Sequence, residues 1–217
     1  KIIFGLIILS GCLFAAGDET INGDGSPVDY TKICVSARYW GMGKSGTGFA
    51  DDSGAMLLNP ASLGLIRSVE MSAMSTKVLG EFNYSLINAV FPLHSETVGM
   101  SLLHEDAGTI YGSDAVDQFG HPVKGETIEN YNRVFTFAYG RQIFLDNLYI
   151  GGAFKYTQKR ISFVVANNTA ADLGMLYRWD QNLSFGLTVK NMMQRIKIKN
   201  RSAINGIGKP IKNKKQQ

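Results

Sequence analysis

The 217-residue chain is poor in the residues from which compact chemistry is built: it has two cysteines, three histidines and five prolines. Cys12 lies inside an N-terminal apolar run, so removal of that run leaves Cys34 alone; an internal disulfide and a Cys-rich metal site are then both excluded. His94, His104 and His121 are dispersed, with no HExxH or similar spacing, and isolated histidines are the expectation. There is no GxSxG elbow, and no histidine beside a plausible nucleophile and acid. No catalytic residue, cofactor or metal is therefore expected. Acids are missing from one region. From Arg195 onward there are eight Lys or Arg and no Asp or Glu, while the rest of the chain holds 14 basic against 18 acidic residues. The net charge of +4 belongs to the tail. A nucleic-acid-binding body would spread cations over a folded face, so no nucleic-acid partner is expected. Residues 192–217 read as a solvated, disordered basic tail.

The opposite end carries "KIIFGLIILSGCLFAAG", a lysine followed by an apolar run that closes in small residues. This is the layout of an export signal over residues 1–17, and it falls short of the ~20 apolar residues that a membrane-spanning helix needs. Ala15 and Gly17 suit cleavage before Asp18, whereas Leu9 to Cys12 resembles a lipoprotein box that would lipidate Cys12; cleavage near Gly17 is favoured. Residues 18–35 are polar and glycine-containing, as an exposed arm would be.

From Ser68 the chain alternates. Val69, Met71 and Ala73 oppose Ser68, Glu70 and Ser72, a period of two rather than the helical 3.6. The pattern returns at Phe82–Leu86, Thr97–Leu102, Tyr131–Gly140, Leu148–Tyr156, Ala171–Trp179 and Leu183–Lys190, giving seven candidate strands. One face is aliphatic and aromatic; the other is small or polar and includes Glu70, Lys155, Asp172 and Arg178. Three tight turns, at Pro92–Glu96, Ile143–Asn147 and Asp180–Asn182, alternate with a long polar segment at 106–130 and a medium one at 159–169. Regular sorting of short and long connections is a habit of up-and-down outer-membrane barrels, whose aromatic rings sit near strand ends.

Ahead of the strands stands "GMGKSGTGFADDSGAMLLNPA", Gly41 to Ala61, which opens on a G-x-G-x-x-G pattern. A Walker loop would need glycine where Arg38 stands, and neither a buried strand before Gly41 nor an apolar-faced helix after Gly46 is evident, so a phosphate site is not expected. Residues 36–67 read as irregular compact structure with short helices around Asp51–Leu58, stopped at Asn59-Pro60.

Ala37-Arg38, Gly41-Met42-Gly43, Ala50-Asp51-Asp52 and Asn59-Pro60-Ala61, in that order, resemble the N-terminal signature of an outer-membrane family that includes the type IX secretion proteins PorV and PorQ, spirochaete-type relatives and, more distantly, the FadL fatty-acid transporters. Ser62 stands where that signature has glycine, and "LGMLYRWDQNLSFGLTVKNM" is similar to a later strand pair. The resemblance implies an all-β fold: an antiparallel up-and-down transmembrane barrel over residues 68–191, of which about half the strands are present, with residues 36–67 folded inward as a plug. A C-terminally truncated product is the economical account of the missing half. The implied location is the outer membrane, with membrane lipid and hydrophobic small molecules as partners and FadL-type transport of long-chain fatty acids as the function. Candidate plug and lumen residues are Gly41, Met42, Gly43, Asp51, Asp52, Asn59, Pro60, Glu70, Asp172 and Arg178. The alternative is an interaction or secretion component that holds secreted or surface proteins, with the 106–130 segment as its binding surface, or a non-functional fragment.

Overall fold

The computed structural model describes residues 36–43, 45–49, 51–78, 82–106, 110–111, 115–116, 119, 121–123, 127–128, 130–143, 147–161 and 164–200. The expected signal with Cys12, the arm 18–35 and the tail beyond Asn200 lie outside these residues.

The alternating runs become seven long strands. They are β1 (Glu70–Val78), β2 (Phe82–Leu93), β3 (Glu96–Asp106), β8 (Asn130–Gln142), β9 (Leu148–Ile161), β10 (Val164–Arg178) and β11 (Ser184–Asn200). Each pairs antiparallel with the next in the order β1-β2-β3-β8-β9-β10-β11. Between β3 and β8 lie two small ribbons, β4 (Ile110–Tyr111) with β7 (Thr127–Ile128) and β5 (Ala115–Val116) with β6 (Pro122–Val123). The 106–130 segment therefore contains paired strand as well as loop. The connection expected at 159–169 is strand almost throughout, since β9 runs to Ile161 and β10 starts at Val164. Polar residues there hid a pairing that backbone hydrogen bonds supply whatever the side chains are. β11 likewise continues beyond the alternation to Asn200, with register shifts against β10 between Thr169 and Leu173 and left-handed backbone at Asn191 (φ 57°) and Met193 (φ 53°).

The closed barrel is overturned: among the described residues the sheet is open, β1 pairing only with β2 and β11 only with β10. Strand parity gives a physical reason. In an antiparallel series the first and seventh strands run the same way, so their edges cannot be joined by the antiparallel pairing that builds the rest. The outer-membrane location and the lipid and fatty-acid partners rested on a closed barrel, and they fall with it. No helix among the described residues is long and apolar enough to cross a membrane, a fact that does not bear on strands.

One face of the sheet is covered by the segment from Ser36 to Arg67. It starts with α1 (Ala37–Gly41), capped by the Ser36 hydroxyl, which accepts from the Tyr39 amide. Two 3₁₀ turns follow. Asp52 caps Ser53–Leu57 by accepting from the amides of Gly54 (2.8 Å) and Ala55 (3.1 Å), and Asn59 caps Pro60–Leu65 by accepting from the Ala61 amide (3.1 Å), with Pro60 preset for the first helical position. Tyr39, Met56, Leu57 and Leu63 bury their side chains with Leu86, Leu103, Val134 and Leu176 of the strands. Burying a side chain of that size contributes about 1.5–3 kcal/mol, so this segment is the sheet's core rather than an appendage.

Candidate functional site

The covering segment can lie this close because the strands beneath it lack side chains. Gly140, Gly151 and Gly174 are cross-strand partners on β8, β9 and β10, and they form a trough into which Asn59-Pro60-Ala61 is laid. A methyl group at Gly140 would stand 2.7 Å from the Pro60 carbonyl oxygen; one at Gly151 or Gly174 would overlap Pro60 or Asn59 outright. Asn59 is fully buried above the trough. Its amide nitrogen donates to the carbonyls of Thr47 (2.7 Å) and Met175 (3.1 Å), tying a strand and a loop to the 3₁₀ turn that its oxygen caps. At the β11 side the Ser184 hydroxyl donates to the Gly48 carbonyl and the Lys190 ammonium donates to the Leu57 carbonyl (3.0 Å). The segment is thus anchored across the full width of the sheet.

The ten residues expected to line a path divide into separate jobs. Asn59 and Pro60 fill the trough. Asp172 forms an ion pair with Lys155 at 2.7 Å, the two side chains 1% and 3% exposed, and its other oxygen accepts from the Asn191 amide at 2.8 Å. That buried pair fixes the irregular backbone of β11, a role the sequence did not disclose because Lys155 and Asp172 belong to different strands. Asp51 pairs with Arg38 at 2.8 Å, and Asp52 caps its turn. Gly41 ends α1, Met42 is exposed, and Gly43 adopts φ +64°, the left-handed backbone that suits glycine. The G-x-G-x-x-G pattern therefore follows a helix instead of opening one, and its amides do not gather at a helix N-terminus as a phosphate cradle requires.

Asp51, Glu70 and Arg178 are brought together around a hollow of about 320 Å³, with Arg67 and Ser184 also on its wall. Glu70 is shared with a second and larger cleft of about 580 Å³ that runs under Arg38 and Asp52 and along β1. Burial pushes the Glu70 carboxyl above the usual range, the neighbouring negative charges of Asp52 and Asp51 add to this, and a hydrogen bond from the Ser53 backbone opposes it. Burial also raises Glu105, which stands between Tyr84 and Asn132 and accepts from the Asn132 amide at 3.4 Å. No group of three His, Cys, Asp or Glu side chains suited to a metal occurs among the described residues.

No family model, curated protein or solved structure matches this chain. The resemblance to the PorV, PorQ and FadL family thus finds no support, and the open sheet lacks the enclosed lumen it implied. FadL-type transport is corrected on the same ground. Asp172, expected beside a cargo path, is held in a buried pair, and Asn59-Pro60 is locked into a glycine trough.

The face away from this segment is where the structure leaves chemistry unspent. Met71, Ala89, Met100, Phe137 and Phe154 are successive cross-strand partners from the β1 edge to β9. Ile87, Phe135, Leu173, Met175, Leu187 and Val189 extend this surface, and of all these only Ala89 is not among the exposed large apolar side chains, Met71 reaching 74% exposure.

Proposed function

We propose that the chain is a non-catalytic interaction component, which binds a protein partner that adds strands to its sheet and covers its outer apolar face. The observation that carries this reading is a single apolar surface reaching a strand edge that is unpaired among the described residues. Contiguous exposed apolar patches beyond a few hundred Å² mark interaction sites. An unpaired edge offers backbone donors and acceptors to an incoming strand. The two features coincide at Met71 on β1, so a strand docked there extends the sheet and the patch together. The partner's chemistry follows: it presents an extended segment whose outward side chains are apolar. Asn59 and the glycine trough fill the covered face over β8, β9 and β10, which leaves the outer face and the β1 edge for recognition.

Photo-cross-linking in cells that produce the full chain tests this. A photoreactive residue replaces Phe137 on the outer face or, as a control, Ala138 on the covered face, and adducts are identified by mass spectrometry. The expected result is one recurrent protein adduct from position 137 and from Met71 on the edge, absent from position 138 and lost in a Phe135→Glu background. Lipid adducts alone, or no adduct at position 137, overturn the proposal.

A further inference from the structure

The edge of β1 that is unpaired among the described residues is lined by a groove that narrows the class of partner. Two hollows, of about 580 and 540 Å³, meet at Ala37 and Met74. Between them they touch every residue from Val69 to Lys77. Successive strand residues point to opposite faces, so hollows that meet all of them follow the backbone edge, and the larger one also reaches over the covered face as far as Leu86 and Asn88 of β2. α1 forms the opposite wall through Ala37, Trp40 and Gly41. A trench with a strand edge on one side and a short helix on the other has the form of a seat for one more strand.

Its charge is uneven. Arg38 is taken up by Asp51, which leaves Asp52 and Glu70 to set the sign of the groove at the start of β1. A second observation points the same way. Asn88, 1% exposed on the neighbouring strand, lines this end of the groove; its amide donates to the Ser72 hydroxyl at 3.2 Å while its carbonyl oxygen has no hydrogen-bond partner among the described residues. Three acceptor groups at one end of a trench suit a cation with several N–H donors.

We infer that the groove takes an extended segment of a partner protein, antiparallel to β1, with a lysine or arginine set among Glu70, Asp52 and Asn88. An antiparallel segment of nine residues matches β1, and its cation lies toward its C-terminal end, opposite Glu70. Its other inward side chains are small, since they meet Ser72 and Ser53, whose hydroxyls lie 2.8 Å apart. This inference rests on the proposed interaction role and specifies its edge contact.

The test uses the full chain and fluorescent nine-residue peptides that alternate threonine and valine, with lysine in place of the last threonine, the same peptide with glutamate there, and one with lysine moved to the first threonine. Fluorescence anisotropy should show the C-terminal lysine peptide binding at least about tenfold more tightly than either other, with an affinity that falls as salt rises. Glu70→Gln should erase the preference, and Glu70→Lys should invert it toward the glutamate peptide. Circular dichroism of each variant separates a lost site from a lost fold, and the inverted preference requires a folded variant. Equal affinity for all three peptides, or a Glu70→Lys chain that still prefers lysine, overturns the groove assignment. Those results leave the cross-linking test of the partner reading untouched, and failure of that test is read on the outer face instead.

Discussion

Gly174→Ala is the sharpest test of the trough. In mid-strand, alanine is ordinarily favoured over glycine by about 0.5–1 kcal/mol, so without the covering segment this change would stabilise the sheet. Here the added methyl overlaps the Asn59 side-chain oxygen and stands 2.9 Å from the Pro60 ring and 3.1 Å from the Ala61 amide nitrogen. Overpacking of a filled core costs about 1–3 kcal/mol, which outweighs the propensity gain, and a net loss of about 1–2 kcal/mol is expected. Asn59→Ala should cost about 2–4 kcal/mol, since it removes two donated bonds and one accepted bond at a fully buried site. Because the methyl collides with Asn59 itself, the double variant should lose less than the sum by about 1–2 kcal/mol. Gly152→Ala is the control: it faces outward from the adjacent residue of β9, and its methyl would meet nothing nearer than 3.7 Å. Urea unfolding of the four variants and the parent gives every number needed. A Gly174→Ala chain as stable as Gly152→Ala, or strict additivity with Asn59→Ala, would refute the argument that segment and strand are in van der Waals contact at this point.

Other outcomes follow from the buried charges. Lys155→Met should cost about 3–5 kcal/mol in thermal or urea unfolding by stranding the Asp172 carboxylate, whereas Lys155→Met with Asp172→Leu should recover most of that loss; a double variant as unstable as the single one would show that the backbone bond to Asn191, not the ion pair, is what matters. Glu105 has its folded value raised by burial, so its contribution to stability is fully present below the unfolded value of about 4.3 and is lost as pH rises through the folded one. Relative to the parent, Glu105→Gln should therefore gain stability between acid and neutral pH, read as urea midpoints at the two ends; parallel pH profiles would contradict the burial argument.

How much of this was legible in the sequence depends on the range of the forces involved. Alternation is local, and the two faces of residues such as Phe135 and Thr136 follow from their order alone. Turn chemistry is local too, so the caps at Asp52 and Asn59 were in reach once a short helix was expected there. The glycines of β8, β9 and β10 were visible only as small residues on one face. Their alignment into a trough depends on register, which pairs Gly140 with Gly151 and Gly151 with Gly174 across three strands. The same holds for Lys155, whose partner Asp172 could not be named without knowing which strands are neighbours. Closure was the largest miss. It rests on the family resemblance, on the two-faced strands and on loop lengths, and loop lengths report how hairpins are joined and say nothing of whether the first strand meets the last. One connection on which it leaned, at 159–169, is itself mostly strand, and the other contains two paired ribbons.

Among the described residues the open sheet has two edges, and they are not equally available. The C-terminal half of β11 holds Arg195, Lys197 and Lys199, and left-handed residues at Asn191 and Met193 break its line. Edge lysines and local kinks are devices by which natural sheets discourage further pairing, because they oppose a flat, regular neighbour. β1 has less of both: it is an unbroken nine-residue strand with a single lysine, Lys77, near its end, one acid at its start and small or apolar residues between. An edge of that kind, left bare, would promote indiscriminate pairing between chains. It is instead flanked by α1, whose wall restricts entry to one extended segment at a time. The helix that the opening glycine motif terminates thus acquires a role that phosphate binding does not explain. It stands where it can decide what joins the sheet, and the Arg38–Asp51 ion pair ties it to the residue beside Asp52, one of the two acids that set the charge of the groove.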